Sequence, residues 1–94
     1  ILSLDLRHIP EAIADYFIIC HALSTTQVRA ITDHIDEEVK KQVGLKPYHL
    51  EGRANAEWCL IDFGDVIVHV FQQEKREFYQ LEDLWSDAMI KHYD

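Results

Sequence analysis

Ninety-four residues and 11.1 kDa make one domain, residues 1–94, and leave no room for a second core of ordinary size. Hydrophobic residues make up 48% of the chain and charged ones 28%, a globular rather than a disordered composition. The 17 acidic residues against 9 basic ones give a formal net charge of −8, which argues against a bulk electrostatic grip on nucleic-acid phosphates and suits a basic partner or a soluble surface. No apolar stretch is long enough to span a bilayer, so no membrane association is expected. Cys20 and Cys59 lie inside apolar runs, which predicts buried free thiols in a reducing compartment. No signal peptide is visible, and the chain opens at Ile1 in strand-like sequence without a Met, so a further segment is expected upstream.

Residues 1–7 alternate, with Leu2, Leu4 and Leu6 against Ser3, Asp5 and Arg7, and predict a strand with one wet face. Pro10 ends that ladder. Residues 16–20 are apolar on both faces and predict a central strand. Ser24-Thr25-Thr26-Gln27 fits a capping box, and Val28, Ile31, Ile35 and Val39 then recur at helical spacing. Gly44 stands where a left-handed cap is wanted and Pro47 forbids continuation, so a helix is predicted over 25–43. Residues 48–53 are a short strand, and 58–63 and 65–71 are two β-rich runs around Gly64, a hairpin. Residues 74–85 return to helical spacing with Phe78, Leu81 and Trp85 as the apolar stripe, and the tail through Tyr93 would prolong that helix. The expected fold is α/β (α+β): a single mixed sheet of about five strands with helices mainly on one face, and a right-handed crossover through the long helix between the second and third strands.

Centring the hairpin turn on Phe63-Gly64 pairs Asp62 with Asp65, Ile61 with Val66, Leu60 with Ile67, Cys59 with Val68 and Trp58 with His69. Alternation then assigns Cys59, Ile61, Val66, Val68 and Val70 to a core face. The other face carries Trp58, Leu60, Asp62, Asp65, Ile67 and His69, with Phe71 at its end. With two helices on one side, that second face lacks cover, and an apolar patch with an acidic edge has the composition of a protein interface. Three covers are open at this point: a different protein, a second copy of the chain, or the chain's own tail. Asp62 and Asp65 are either solvated turn residues or acids awaiting a partner's cation or a divalent metal.

Asp62-Phe63-Gly64 spells a kinase metal-binding triplet, but there is no glycine-rich loop and no room for that fold. His21, His34, His49 and His69 include no pair at zinc-site spacing, and no CxxC occurs. There is no P-loop and no dinucleotide fingerprint. Neither a metal, a cofactor nor a catalytic group is therefore assigned.

Several segments carry a resemblance together: Leu4-Asp5-Leu6-Arg7, Ala14-Asp15-Tyr16-Phe17-Ile18-Ile19-Cys20, Ser24-Thr25-Thr26-Gln27-Val28, Glu51-Gly52 and Ala56-Glu57-Trp58. To these are added Asp62-Phe63-Gly64-Asp65-Val66-Ile67-Val68-His69-Val70-Phe71 and Glu77-Phe78-Tyr79-Gln80-Leu81-Glu82-Asp83-Leu84-Trp85. The chain resembles the ribosomal silencing factors, the Iojap-like proteins of bacteria and organelles, from Leu4 to Trp85. The resemblance implies a fold related to a minimal nucleotidyltransferase, normally preceded by a short helical segment that is not seen here. It implies binding to the large ribosomal subunit through its fourteenth ribosomal protein, a basic protein of the intersubunit face. Small-subunit joining is then blocked and translation repressed, in the cytoplasm of a bacterium or in an organelle. Nucleotidyltransferases carry a Gly-Ser signature, whereas Gly44, Gly52 and Gly64 are followed by Leu45, Arg53 and Asp65. Transferase activity is not expected, though a degenerate nucleotide- or magnesium-binding relative is the alternative reading, with a homodimerising module as a third. On the leading reading Trp58 anchors the interface, Leu60, Ile67 and His69 surround it, and Asp62, Asp65 and Glu51 meet basic side chains.

Overall fold

The computed structural model describes residues 1–75 and 88–93. In chain order these form β1 (Leu2–Asp5), β2 (Tyr16–Ala22), α1 (Thr25–Val43), β3 (His49–Glu51), β4 (Trp58–Asp62), β5 (Val66–Gln72) and β6 (Met89–His92). The strands make one mixed sheet in the order β3-β4-β5-β2-β1-β6. Only β2 and β5 pair in parallel; the other neighbours are antiparallel. The connection from β2 through α1 therefore lands on β3, parallel to β2 but with β5 and β4 between them. Most of the helix expected at 74–85, with Phe78, Leu81 and Trp85, lies outside the described residues.

Local chemistry accounts for α1. The Ser24 hydroxyl accepts from the Gln27 N–H at 3.1 Å, and the Ser24 N–H donates to the Gln27 side-chain oxygen at 3.2 Å, which completes the capping box. Gly44 closes the helix in the left-handed region at φ 70°, its N–H donating to the Lys40 carbonyl. Val28 and Thr32 are wholly buried beneath the helix, with Ile31 and Ile35 packing beside them. The Thr32 hydroxyl is satisfied inside the core by donating to the Val28 carbonyl at 2.8 Å.

Each sheet face carries a core. Under α1 lie Cys20, Cys59, Ile61, Val68 and Val70, so the expected core face and the two buried thiols are found as read from the sequence. The opposite face holds Leu2, Leu4, Phe17, Ile19, Ile67 and Phe71. This corrects the expectation of an uncovered face. β1 and β2 extend it, and Ile9, Ala12 and Ala88 from the chain itself pack against it.

Two further expectations are corrected. The hairpin register is displaced by two residues: Asp62 pairs with Ile67, Leu60 with His69 and Trp58 with Phe71. Gly64 and Asp65, not Phe63 and Gly64, form the turn, because Phe63 donates to the Val66 carbonyl and Gly64 supplies the positive φ of 92°. A displacement of two preserves alternation, so the face of every strand residue is unchanged. Asp62 and Asp65 are no longer cross-strand partners. The tail, in turn, is a strand rather than a prolonged helix: Met89–His92 pairs along β1, with Leu4 opposite Ile90, and makes six strands in place of about five.

The β3–β4 loop is pinned to α1. Arg29 donates to the carbonyls of Arg53 and Ala54, and Arg53 grips Asp33 through two hydrogen bonds at 2.7 and 2.6 Å. Gly52, at φ 83°, lies so close to the backbone of Trp58 that a Cβ there would overlap its carbonyl oxygen, whereas a Cβ at Gly44 would meet nothing. Gly44→Ala should therefore cost about 1–2 kcal/mol, the penalty of the left-handed backbone alone. Gly52→Ala should cost clearly more, because the loop must also move away from β4. Urea unfolding of the two variants checks the order; equal midpoints would contradict it.

Candidate functional site

The alternating face away from α1 is graded rather than uniformly open. Toward the centre of the sheet, Ile67 and His69 are each 4% exposed and Phe71 is 1% exposed. These belong to the core, which corrects the expectation that Ile67 and His69 surround Trp58 on an open surface. The parallel pairing of β2 with β5 sets Phe17 beside Ile67 and Ile19 beside His69, which closes their flank within the sheet. Toward the β3 edge the same face becomes accessible. Trp58, Leu60 and Asp62 on β4 are half-buried, and Glu51, opposite Leu60 on β3, is exposed. Asp65 is exposed at the hairpin tip, where its carbonyl accepts from the Asp15 and Tyr16 N–H groups.

His49 is a surface residue that the sequence reading missed. It is exposed and directly opposite Asp62. Its membership depends on the β3–β4 register, a pairing that no local pattern announces. Tyr48, also exposed, lays its ring against Gly64 at the turn.

Trp58 is attached to the core at its inner edge. Its ring stacks on Phe71 with centroids 5.0 Å apart and 24° between planes. Its Nε1–H donates to Nδ1 of His69 at 3.1 Å, along the diagonal of the β4–β5 ladder. His69 itself meets Phe17 edge to face at 4.7 Å. Truncating Trp58 would therefore strip contacts from Phe71 and His69 and cost about 2 kcal/mol or more, rather than the small loss expected of a wholly superficial residue.

The two acids at the rim differ. One Asp62 carboxylate oxygen accepts from the Gly64 N–H at 2.7 Å and helps define the turn, while the Asp65 side chain is free to face solvent. Among the described residues, no three His, Cys, Asp or Glu side chains group into a metal site. What the strip offers chemically is an aromatic and aliphatic contact surface with carboxylates at its edge.

Comparison with known proteins gives a consistent result. The family model described as "Ribosomal silencing factor during starvation" matches residues 1–94. A Bacillus subtilis protein named "Ribosomal silencing factor RsfS" is 44% identical over 94 residues, which span all of this chain and 78% of that protein. The mouse protein named "Mitochondrial assembly of ribosomal large subunit protein 1" is 36% identical over 77 residues, 77% of this chain and 32% of that one. A crystal structure of a Chromobacterium violaceum protein superposes with a TM-score of 0.84 at 30% identity, covering 90% of this chain and 70% of the other.

Burial pushes His69 down to about 4 from the ordinary 6.5. In the unfolded chain the imidazole takes a proton near pH 6.5, whereas in the fold it stays neutral to about pH 4. Its contribution to stability is thus complete above pH 6.5 and declines as the pH falls toward 4, by about 3 kcal/mol in all. Replacement by Phe keeps a ring and removes the titration. Between pH 7 and pH 4.5 the wild type should lose about 2–3 kcal/mol more than His69→Phe in urea unfolding. Parallel losses would contradict a buried neutral imidazole.

Proposed function

The chain belongs to the ribosomal silencing factor family, and from that premise we propose that it binds the large ribosomal subunit, keeps the small subunit from joining and so represses translation. The contact runs through the strip of Trp58, Leu60, Asp62 and Glu51, with Asp65 at the hairpin tip. The carrying observation is the graded face: an indole half out of the core, an aliphatic neighbour, and carboxylates around them. Tryptophan is favoured at desolvated interface centres, and a rim of opposite charge steers encounter with a basic partner. The basic partner is a ribosomal protein of the intersubunit face, the fourteenth of the large subunit. The net charge of −8 favours that protein over the rRNA around it. Ile67 and His69 act beneath the contact rather than in it. The role is one of binding, without a cofactor, in whichever compartment holds the ribosomes; no described helix is long and apolar enough to cross a membrane.

Glu51 and Asp65 are the clean probes because both are exposed and their carboxylates hold no partner among the described residues. Glu51→Lys combined with Asp65→Lys should leave the unfolding free energy within about 0.5 kcal/mol of wild type, as read by urea unfolding. The same variant should weaken co-sedimentation with isolated bacterial large subunits about tenfold, or ~1.4 kcal/mol. Wild-type protein should also lower the yield of joined ribosomes from separated subunits on a sucrose gradient. Full-strength pelleting of the double variant would remove the strip from the contact. Undiminished joining in the presence of saturating wild-type protein would refute the silencing role.

A further inference from the structure

An imidazole is an odd occupant for position 69. Alternation places it between Ile67 and Phe71 on an apolar face, and it is 4% exposed. A leucine or phenylalanine would fill the slot without burying polar atoms. Moreover, Nε2 of His69 is buried and has no hydrogen-bond partner among the described residues. The other ring nitrogen, Nδ1, receives the indole N–H of Trp58 at 3.1 Å. An indole can only donate, so Nδ1 is the accepting nitrogen and the proton of the neutral ring resides on Nε2.

We propose that His69 is the positioning residue of the contact surface: by accepting from Trp58 Nε1–H it fixes the orientation in which the indole is presented to the partner. This inference rests on the reading that Trp58 lies in the contact with the large subunit. Stacking on Phe71 sets the plane of the indole. The bond from the indole nitrogen to an immobile acceptor sets which edge of the ring is turned toward His69. The acceptor is immobile because its ring is wedged edge to face on Phe17 and lies beside the Trp58–Phe71 stack. The described rings against it, Phe17, Trp58 and Phe71, are uncharged, and the imidazole stays neutral at physiological pH, so it accepts without interruption. Holding a large side chain in its bound conformation before encounter lowers the ordering cost of binding.

Two substitutions separate positioning from packing. His69→Phe keeps a ring in the slot and deletes the acceptor. His69→Asn loses the ring but puts its Oδ1 near the place of Nδ1. The chain has two tryptophans, and the Trp58 indole resonance is the one absent from the proton–nitrogen spectrum of Trp58→Phe. In His69→Phe that resonance should move upfield and broaden, and co-sedimentation with large subunits should weaken about tenfold while the protein remains folded. His69→Asn should melt lower yet, measured in the cold, bind within about threefold of wild type. Should the Asn variant not fold, the Phe variant and its resonance decide alone. An unmoved indole resonance in His69→Phe, or a moved one with wild-type binding, would overturn the positioning role. Wild-type protein that does not pellet with large subunits at all would instead overturn the functional reading on which the role rests.

Discussion

The parallel seam between Tyr16–Ala22 and Val66–Gln72 is the constraint on which the rest of the molecule depends. It joins a segment from the first quarter of the chain to one from the third, so its closure costs more loop entropy than either flanking hairpin. What compensates is burial on both faces at once. Phe17 and Ile19 lie beside Ile67 and His69 on one side, while Ile18 and Cys20 lie beside Val68 and Val70 on the other. Two carbonyl bonds extend the seam into the turn, where Asp65 receives both Asp15 and Tyr16. With the seam closed, the β1–β2 and β4–β5 pairs become one sheet, and each acquires a neighbour on its inner edge.

The seam also divides the surface. Residues on β5 are flanked on both sides and sink into the core, whereas those on β4 have only the short β3 beyond them. Exposure on the face away from α1 therefore rises in two steps, from Phe71 and His69 to Trp58 and Leu60, and then to Glu51. A side chain at the middle step can be anchored at one end and available at the other. Trp58 is so placed: its ring rests on Phe71, and its nitrogen bonds to His69.

How much was legible follows from how local each determinant is. The helix was readable to its caps because Ser24, Gln27 and Gly44 act within a turn of themselves. The hairpin faces were readable because alternation depends only on parity. Its register was not, since Gly64 can serve as either central residue of a two-residue turn, and the Phe63–Val66 pairing that decides between them also involves the approach of Asp15 to Asp65. The burial of Ile67 and His69 was hidden for a related reason: the strand that covers their flank lies some fifty residues earlier. Met89–His92 shows no alternation of its own and became a strand by adding to the exposed side of β1. The resemblance carried by 62–71 identified the family although the register drawn through that same stretch was shifted, because residue identity and residue pairing are separate kinds of information.

The addition of β6 to β1 brings the first and last described residues together. The Tyr93 N–H donates to the Ile1 carbonyl at 2.8 Å, and the Tyr93 and Ser3 hydroxyls meet at 3.2 Å. β1 and β6 stand three and four strands from β4, about 15–20 Å across the sheet at ordinary strand spacing. A fluorophore or surface tether attached near either Ile1 or Tyr93 would thus hang from the margin opposite Trp58 and Glu51. Pulling on both points together would peel β6 from β1 like a zip while leaving the strip intact, so a load applied there is borne by the side of the sheet away from Trp58.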